Sequence, residues 1–135
     1  MLPKDIFQKH THIGLDLDET LAESVMDGLK MFHREGKMLF LQTLEDIKHF
    51  DWMLFPEIDI SEAEFIQFWR NHHLTNVLPV ANSIDGVYQL SCAHIAVSII
   101  TARNEHDHRS DTERWVARYF PEIHPSNIYF ANHTA

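Results

Sequence analysis

The sequence predicts an α/β protein whose parallel sheet is flanked by helices, and two apolar runs carry most of that prediction. Residues 12–17 (HIGLDL) form a short apolar run that ends in acidic residues, which is typical of a strand buried on both faces. Residues 96–100 (AVSII) are rich in β-branched side chains and predict a second buried strand. Helical patterns lie between and after these runs. Strands that alternate with helices are typical of a parallel sheet.

The remaining predicted elements follow from apolar spacing and from helix-start residues. Capping-box patterns predict helix starts at Thr43, with Asp46 three residues on, and at Ser61, with Glu64 three residues on. The other predicted elements are helices over 22–32, 81–93 and 107–119 and a third strand over 127–131. The predicted order is therefore strand, helical block, helix, strand, helix, strand.

The composition is that of a single globular domain. Of 135 residues, 44% are hydrophobic and 23% are charged, so we expect a packed core. The formal net charge of −9 argues against binding to nucleic acid polymers, because their phosphates repel an acidic surface. The single cysteine, Cys92, excludes an intramolecular disulfide and a cysteine-based zinc cluster.

The sequence favours a cytoplasmic protein that does not bind membranes. Residues 1–10 lack the long apolar region of a secretory signal, and no apolar run approaches the length of a membrane span. One cysteine suits a reducing compartment. The 11 histidines are scattered without ligand spacing on a shared face, so we interpret them as solvated or packing residues.

The pattern that carries chemistry is Asp-x-Asp at positions 16 and 18, directly after the first predicted strand. Two carboxylates two residues apart can converge on one cation and one phosphate. One can attack phosphorus as a nucleophile, and the other can transfer a proton. Mg²⁺ offsets the repulsion between carboxylate and phosphate, and it prefers such oxygen ligands. Asp16 and Asp18 are therefore the candidate catalytic and metal-binding residues.

Three other interpretations of this pattern are open. A helix-loop-helix calcium site needs Gly at its sixth position and Glu at its twelfth, where this chain has Leu21 and Asp27. A sugar-nucleotide transferase also holds a metal with Asp-x-Asp, but such enzymes are usually much larger. In the third interpretation the aspartates only cap a helix that begins near Thr20.

Residues 12–20, an apolar strand followed by Asp-x-Asp-x-Thr, resemble the first motif of the haloacid dehalogenase (HAD) superfamily. Residues 97–101 resemble its second motif, an apolar strand ending in Thr. Three further segments, 101–104 (TARN), 119–121 (YFP) and 127–132 (NIYFAN), resemble the 5′-nucleotidase or deoxyribonucleotidase-like branch. The resemblance implies one HAD-like domain with a Rossmann-like core over 1–21 and 79–135. Residues 22–78 would be a small helical cap inserted after the first strand.

The resemblance implies magnesium-dependent hydrolysis of small phosphomonoesters through an aspartyl-phosphate. Asp16 would be the nucleophile. Asp18 would be the general acid and base, and its backbone carbonyl would also bind Mg²⁺. Thr101 would donate a hydrogen bond to the transferring phosphoryl group. The residues expected to support or contact the substrate are Thr20, Ala102 and Arg103. For Arg103, an ion pair at the surface is the alternative to contact with a substrate anion.

The family also has a Lys or Arg in a third motif and acidic residues in a fourth, both after the third strand. The sequence ends at Ala135, and none of its lysines follows Thr101. We therefore expect the C-terminal strands to be absent, activity to be low, or the chain to be a fragment. An exposed edge at the first strand would favour a homodimer. The alternative function is an incomplete relative that binds a phosphorylated ligand or a protein partner.

Overall fold

The computed structural model describes residues 11–38 and 60–132, and it shows an α/β fold compatible with the Rossmann-like class. The elements are β1 (His12–Asp16), α1 (Ser24–Arg34), α2 (Glu62–Arg70), α3 (Ser83–Cys92), β2 (Ala96–Asn104), α4 (Glu105–Tyr119) and β3 (Ile128–Asn132). The predicted helix start at Thr43 lies outside the described residues. None of the helices in the described ranges has the length and apolar character that a membrane span needs.

The three strands form a parallel sheet in the order β1-β2-β3, which confirms the prediction of a parallel α/β sheet. β1 pairs with β2 in a register that runs from His12 opposite Ala96 to Asp16 opposite Ile100. β2 pairs with β3, so that Ile100 is also opposite Tyr129. Because all three strands run in the same direction, their carboxyl ends meet at one edge of the sheet.

The core of the sheet lies on the face that α3 and α4 cover. Ile99 of β2 and Phe130 of β3 belong to one buried cluster with Val87 of α3 and Trp115 of α4. The indole nitrogen of Trp115 donates a hydrogen bond to the backbone carbonyl of Val77 over 2.9 Å. A buried indole N–H therefore has a partner, which lets this large side chain fill the core without leaving a polar group unsatisfied.

The prediction that β1 is buried on both faces is wrong. Ile13 and Leu15 are half-buried against the core, but the alternate residues are exposed. Those exposed residues are His12, Gly14 and Asp16. β1 lies at an edge of the described sheet, and the face opposite the core also exposes Ile100 and Tyr129. The apolar run therefore predicts a strand with one buried face, but it does not predict that the second face is also buried.

The chain divides into two compact units. The first takes in the sequence before Ser24 and after His72, and contains the sheet. The second, Ser24–His72, contains α1 and α2. The prediction that residues 22–78 form a cap stays a prediction.

In the second unit, aromatic residues of α2 pack on α1. Phe32 of α1 is buried, and its ring centroid lies 4.2 Å from that of Phe68. The predicted start of α2 is confirmed, because the Ser61 hydroxyl accepts a hydrogen bond from the Glu64 backbone N–H over 3.2 Å. This bond satisfies one of the backbone donors that every helix leaves open at its first turn.

Candidate functional site

The sheet register brings the ends of β1 and β2 together. Asp16, the last residue of β1, pairs with Ile100, and Thr101 is the next residue of β2. Neighbouring strands lie roughly 5 Å apart, so Asp16 at the end of β1 lies close to Ile100 and Thr101 of β2, which continues to Asn104. In open α/β sheets ligands bind at this carboxyl edge. Asp16 and Thr101, one from each segment that resembles a HAD motif, therefore lie near the position where such a sheet holds its ligand.

The loop after β1 is a tight turn closed by backbone hydrogen bonds. The Leu17 carbonyl accepts bonds from the Leu21 and Ala22 N–H groups, both over 2.9 Å. Glu19 has a φ of +66° and donates its N–H to the Ala22 carbonyl over 2.8 Å. A non-glycine residue in this left-handed region is uncommon and is often found in functional loops. The turn fixes the backbone around Asp18.

The segment around Pro79 holds the far side of this loop. The Val80 N–H donates to the Leu21 carbonyl and the Glu23 N–H donates to the Leu78 carbonyl, each over 2.8 Å. Leu17, Leu21 and Ala22 are buried, whereas Thr20 is exposed at the tip of the turn. The loop is therefore anchored by apolar side chains from inside and by backbone bonds from the side.

Asp16 is exposed, and its carboxylate is oriented by the backbone N–H of the next residue. One oxygen, Oδ1, accepts a hydrogen bond from the Leu17 N–H over 2.8 Å. A nucleophile must be reachable by substrate and must have a preferred direction. Asp16 meets both requirements in this arrangement.

Asp18 is bound by Arg103 through a two-pronged ion pair. The Arg103 Nε lies 3.2 Å from each carboxylate oxygen of Asp18, and Nη2 lies 2.8 Å from Oδ1. The Arg103 side chain is only 9% exposed and that of Asp18 is 35% exposed. The sequence left two roles open for Arg103, an ion pair at the surface or contact with a substrate anion. In the structure Arg103 forms an ion pair, and its guanidinium is largely buried. A forked pair of this kind is among the stronger charged contacts in proteins.

Thr101 lies beneath Arg103. It is 1% exposed, and its Oγ1 accepts a hydrogen bond from the Arg103 backbone N–H over 3.2 Å. This contact fixes the backbone that carries the guanidinium. Ala102, between them, is exposed. The Thr101 hydroxyl therefore supports the backbone of the site, and Ala102 forms exposed surface there.

The donor set at this edge suits Mg²⁺. Asp16 and Asp18 offer carboxylate and carbonyl oxygens, which are the ligands that Mg²⁺ takes in proteins. Because Arg103 binds the Asp18 carboxylate, the oxygens that fit best are the exposed Asp16 carboxylate and the Asp18 backbone carbonyl. The HAD resemblance implies the same two ligands, and their binding of Mg²⁺ stays a prediction.

Sequence reasoning missed two features of the molecule. It did not pair Arg103 with Asp18, since nothing in the local pattern of either residue points to the other. It also interpreted every histidine as a solvated or packing residue. In the structure, His73, His108 and Asp111 bring their potential metal-ligand atoms within 4.8 Å of one another. The usable signal was the spacing of His108 and Asp111, which lie three residues apart on α4 and so share a face of the helix.

No protein-family model matches the chain, and no curated protein matches it. The functional assignment therefore depends on the chemistry of the site.

Proposed function

We propose that the chain is a magnesium-dependent hydrolase of small, nucleotide-like phosphomonoesters that works in the manner of the HAD superfamily. The observation that supports this most is the parallel pairing of β1 with β2. It brings Asp16 of the first motif-like segment and Thr101 of the second to neighbouring positions in the sheet. A carboxylate pair and a largely buried guanidinium lie there. Together they form a site of mixed charge suited to a phosphate and a cation.

In the first step, an oxygen of Asp16 attacks phosphorus while the bond between phosphorus and the leaving oxygen breaks. The phosphoryl group becomes bound to Asp16. The leaving oxygen takes a proton from Asp18, which has first left Arg103 and taken up that proton from solvent. Bound Mg²⁺ would supply positive charge that reduces the repulsion between Asp16 and the phosphate oxygens.

In the second step, Asp18 takes a proton from a water molecule, and the water oxygen attacks phosphorus. The bond between phosphorus and Asp16 breaks, so inorganic phosphate leaves and the Asp16 carboxylate is regenerated. Asp18 must therefore be able to leave its ion pair, because its oxygens need access to the leaving group and to water. Its 35% exposure gives it a solvent-facing side from which to do so.

Arg103 has a defined part in this proposal. A substrate phosphate is a second anion that can bind the same guanidinium, so arriving substrate would compete with Asp18 for Arg103. The exchange would place positive charge on the phosphate and release Asp18 for proton transfer. Arg103 is a cation that already lies at the site.

A second candidate function is a binding protein for phosphorylated ligands or a protein partner without turnover. The observation that favours it is the same ion pair, because a carboxylate held by two arms of Arg103 is not placed to give up or take a proton. The two candidates differ in a single measurable quantity, the release of phosphate.

The test is phosphate release from a panel of small phosphomonoesters that includes nucleoside monophosphates, with and without Mg²⁺. The proposal expects release that requires Mg²⁺ and that is lost in Asp16→Asn. Asp85→Asn is the matched control, since Asp85 is an exposed aspartate on α3 and should keep full activity. No release above that of Asp16→Asn, in protein whose circular dichroism shows it folded, would exclude the hydrolase and leave the binding protein.

A further inference from the structure

A cluster of metal-ligating side chains lies in the first unit, and it shares no residue with the site proposed for phosphate chemistry. His108 and Asp111 come from the first two turns of α4, and His73 comes from the segment that precedes α3. His108 is buried, the Asp111 side chain is 10% exposed, and the His73 side chain is 48% exposed. One ligand atom from each lies within 4.8 Å of the others.

One distance inside this cluster is already that of a metal site, and the other ligand atoms lie within 4.8 Å. The Nδ1 atom of His73 lies 3.2 Å from Oδ2 of Asp111. Two ligands on a tetrahedral Zn²⁺, at bond lengths of about 2.0–2.1 Å, are separated by roughly 3.3–3.5 Å. The His73 and His108 rings have centroids 4.7 Å apart. Small side-chain rotations would therefore bring all three atoms to bonding distance of one ion.

The carboxylate of the cluster is already fixed in place. Oδ2 of Asp111 accepts a hydrogen bond from the backbone N–H of Leu74 over 3.1 Å, and Leu74 is fully buried. Contacts of this kind orient ligands and reduce the cost of ordering them when the metal binds. Because α4 holds His108 and Asp111 on one face, His73 is the one ligand of the three that lies outside this helix.

We propose that His73, His108 and Asp111 bind one Zn²⁺ ion or a similar divalent transition metal. Two imidazole nitrogens and one carboxylate oxygen suit Zn²⁺, whereas Mg²⁺ prefers oxygen ligands throughout. Three protein ligands leave a fourth position, which the exposed side of His73 opens to water. Binding joins residues 73–74 to the start of α4. This site is independent of the proposed phosphohydrolase activity.

The rival explanation is a plain pair between His73 and Asp111, with the His108 ring packed beside it. Such a pair has no need of a metal. The two explanations predict different responses to Zn²⁺, and a variant at His73 can separate them. Because its side chain is half exposed, His73→Ala should fold.

The experiment is calorimetric titration of ZnCl₂ into the full chain, first stripped of metal with a chelator. Excess Mg²⁺ is present to occupy oxygen-rich sites. His106→Ala is the matched control, because His106 is an exposed histidine on the same helix, two residues from His108. Thermal unfolding with and without Zn²⁺ gives a second readout, because a metal that binds the folded state raises Tm.

We expect one tight Zn²⁺ site in the unchanged chain and in His106→Ala. His73→Ala and Asp111→Asn should bind at least about tenfold more weakly and should lose the rise in Tm. The proposal is overturned if His73→Ala binds Zn²⁺ as tightly as the unchanged chain. It is also overturned if His106→Ala weakens binding as much as His73→Ala, since that would indicate adventitious binding to surface histidines.

Discussion

Arg103 and Asp18 are 85 residues apart in the sequence, yet the guanidinium of one holds both carboxylate oxygens of the other. The contact joins the carboxyl end of β2 to the loop after β1. The arginine side chain is nearly buried, so the pair is shielded from water on one side. A fixed cation therefore lies at the edge of the sheet where two candidate catalytic residues, Asp16 and Thr101, also lie.

Arg103→Ala should lower kcat/KM for a phosphomonoester by roughly a hundredfold, because it removes a cation that stabilises charge on the phosphate. Arg103→Lys should lose less activity, since it keeps the charge but not the forked geometry. The measurement is steady-state phosphate release across a range of substrate concentrations. Arg114→Ala, which changes an exposed arginine on α4, should be unaffected. Equal activities for Arg103→Ala and Arg114→Ala would show that Arg103 takes no part in catalysis.

Two helical glycines should respond in opposite ways to alanine. At Gly28 of α1 an added Cβ would lie 2.6 Å from Cη2 of Trp69, in a buried position. Overpacking of this kind costs about 1–3 kcal/mol, which exceeds the gain of about 1 kcal/mol in helix propensity. Gly28→Ala should therefore lower the free energy of unfolding.

At Gly86 of α3 the added methyl group meets no atom within 4 Å. Only the propensity gain remains, so Gly86→Ala should raise the free energy of unfolding by up to about 1 kcal/mol. Urea unfolding followed by circular dichroism measures both variants under the same conditions. If Gly28→Ala stabilises the chain as much as Gly86→Ala, the close contact with Trp69 is absent in solution.

Trp115→Phe should destabilise the chain by about 1–3 kcal/mol. The substitution removes the indole N–H that satisfies the Val77 carbonyl, and it also leaves a small cavity in the core. Urea unfolding gives the change. Tyr129→Phe alters an aromatic ring that is 52% exposed and should change stability by less than about 0.5 kcal/mol. A Trp115→Phe protein as stable as Tyr129→Phe would contradict the hydrogen bond.

The fold class was predictable from the sequence because local patterns determine it. Apolar runs predicted β1 and β2, and helical spacing of apolar residues predicted α4. The capping pattern at Ser61 predicted the start of α2. Burial was less predictable. The run around Gly14 is as apolar as a strand with two covered faces, but the face of the sheet opposite the core is exposed there, as it is at Ile100 and Tyr129. Whether a face is covered depends on the packing of other elements, which no single segment encodes.

The candidate site was predictable only in part, for the same reason. Asp16 and Asp18 stood out because they follow a strand within one short motif. Arg103 was also a candidate, but its pairing with Asp18 was not predicted. An ion pair between residues 85 positions apart depends on the register in which β1 and β2 pair. His73 lies in a loop and His108 lies on a helix, so no single stretch of the sequence shows that the two are close together.

The central claim is that Asp16 takes up a phosphoryl group, and Asp18→Asn provides the most direct test. With an aryl phosphate, whose leaving group needs no proton, the first step should proceed in this variant. The second step should be slow, because no base activates water.

The measurement is the intact mass of the protein after acid quench in the presence of Mg²⁺. Asp18→Asn should carry one covalent phosphoryl group, and the double variant Asp16→Asn/Asp18→Asn should carry none. A folded Asp18→Asn protein without covalent phosphate, or equal labelling of the double variant, would contradict Asp16 as the nucleophile.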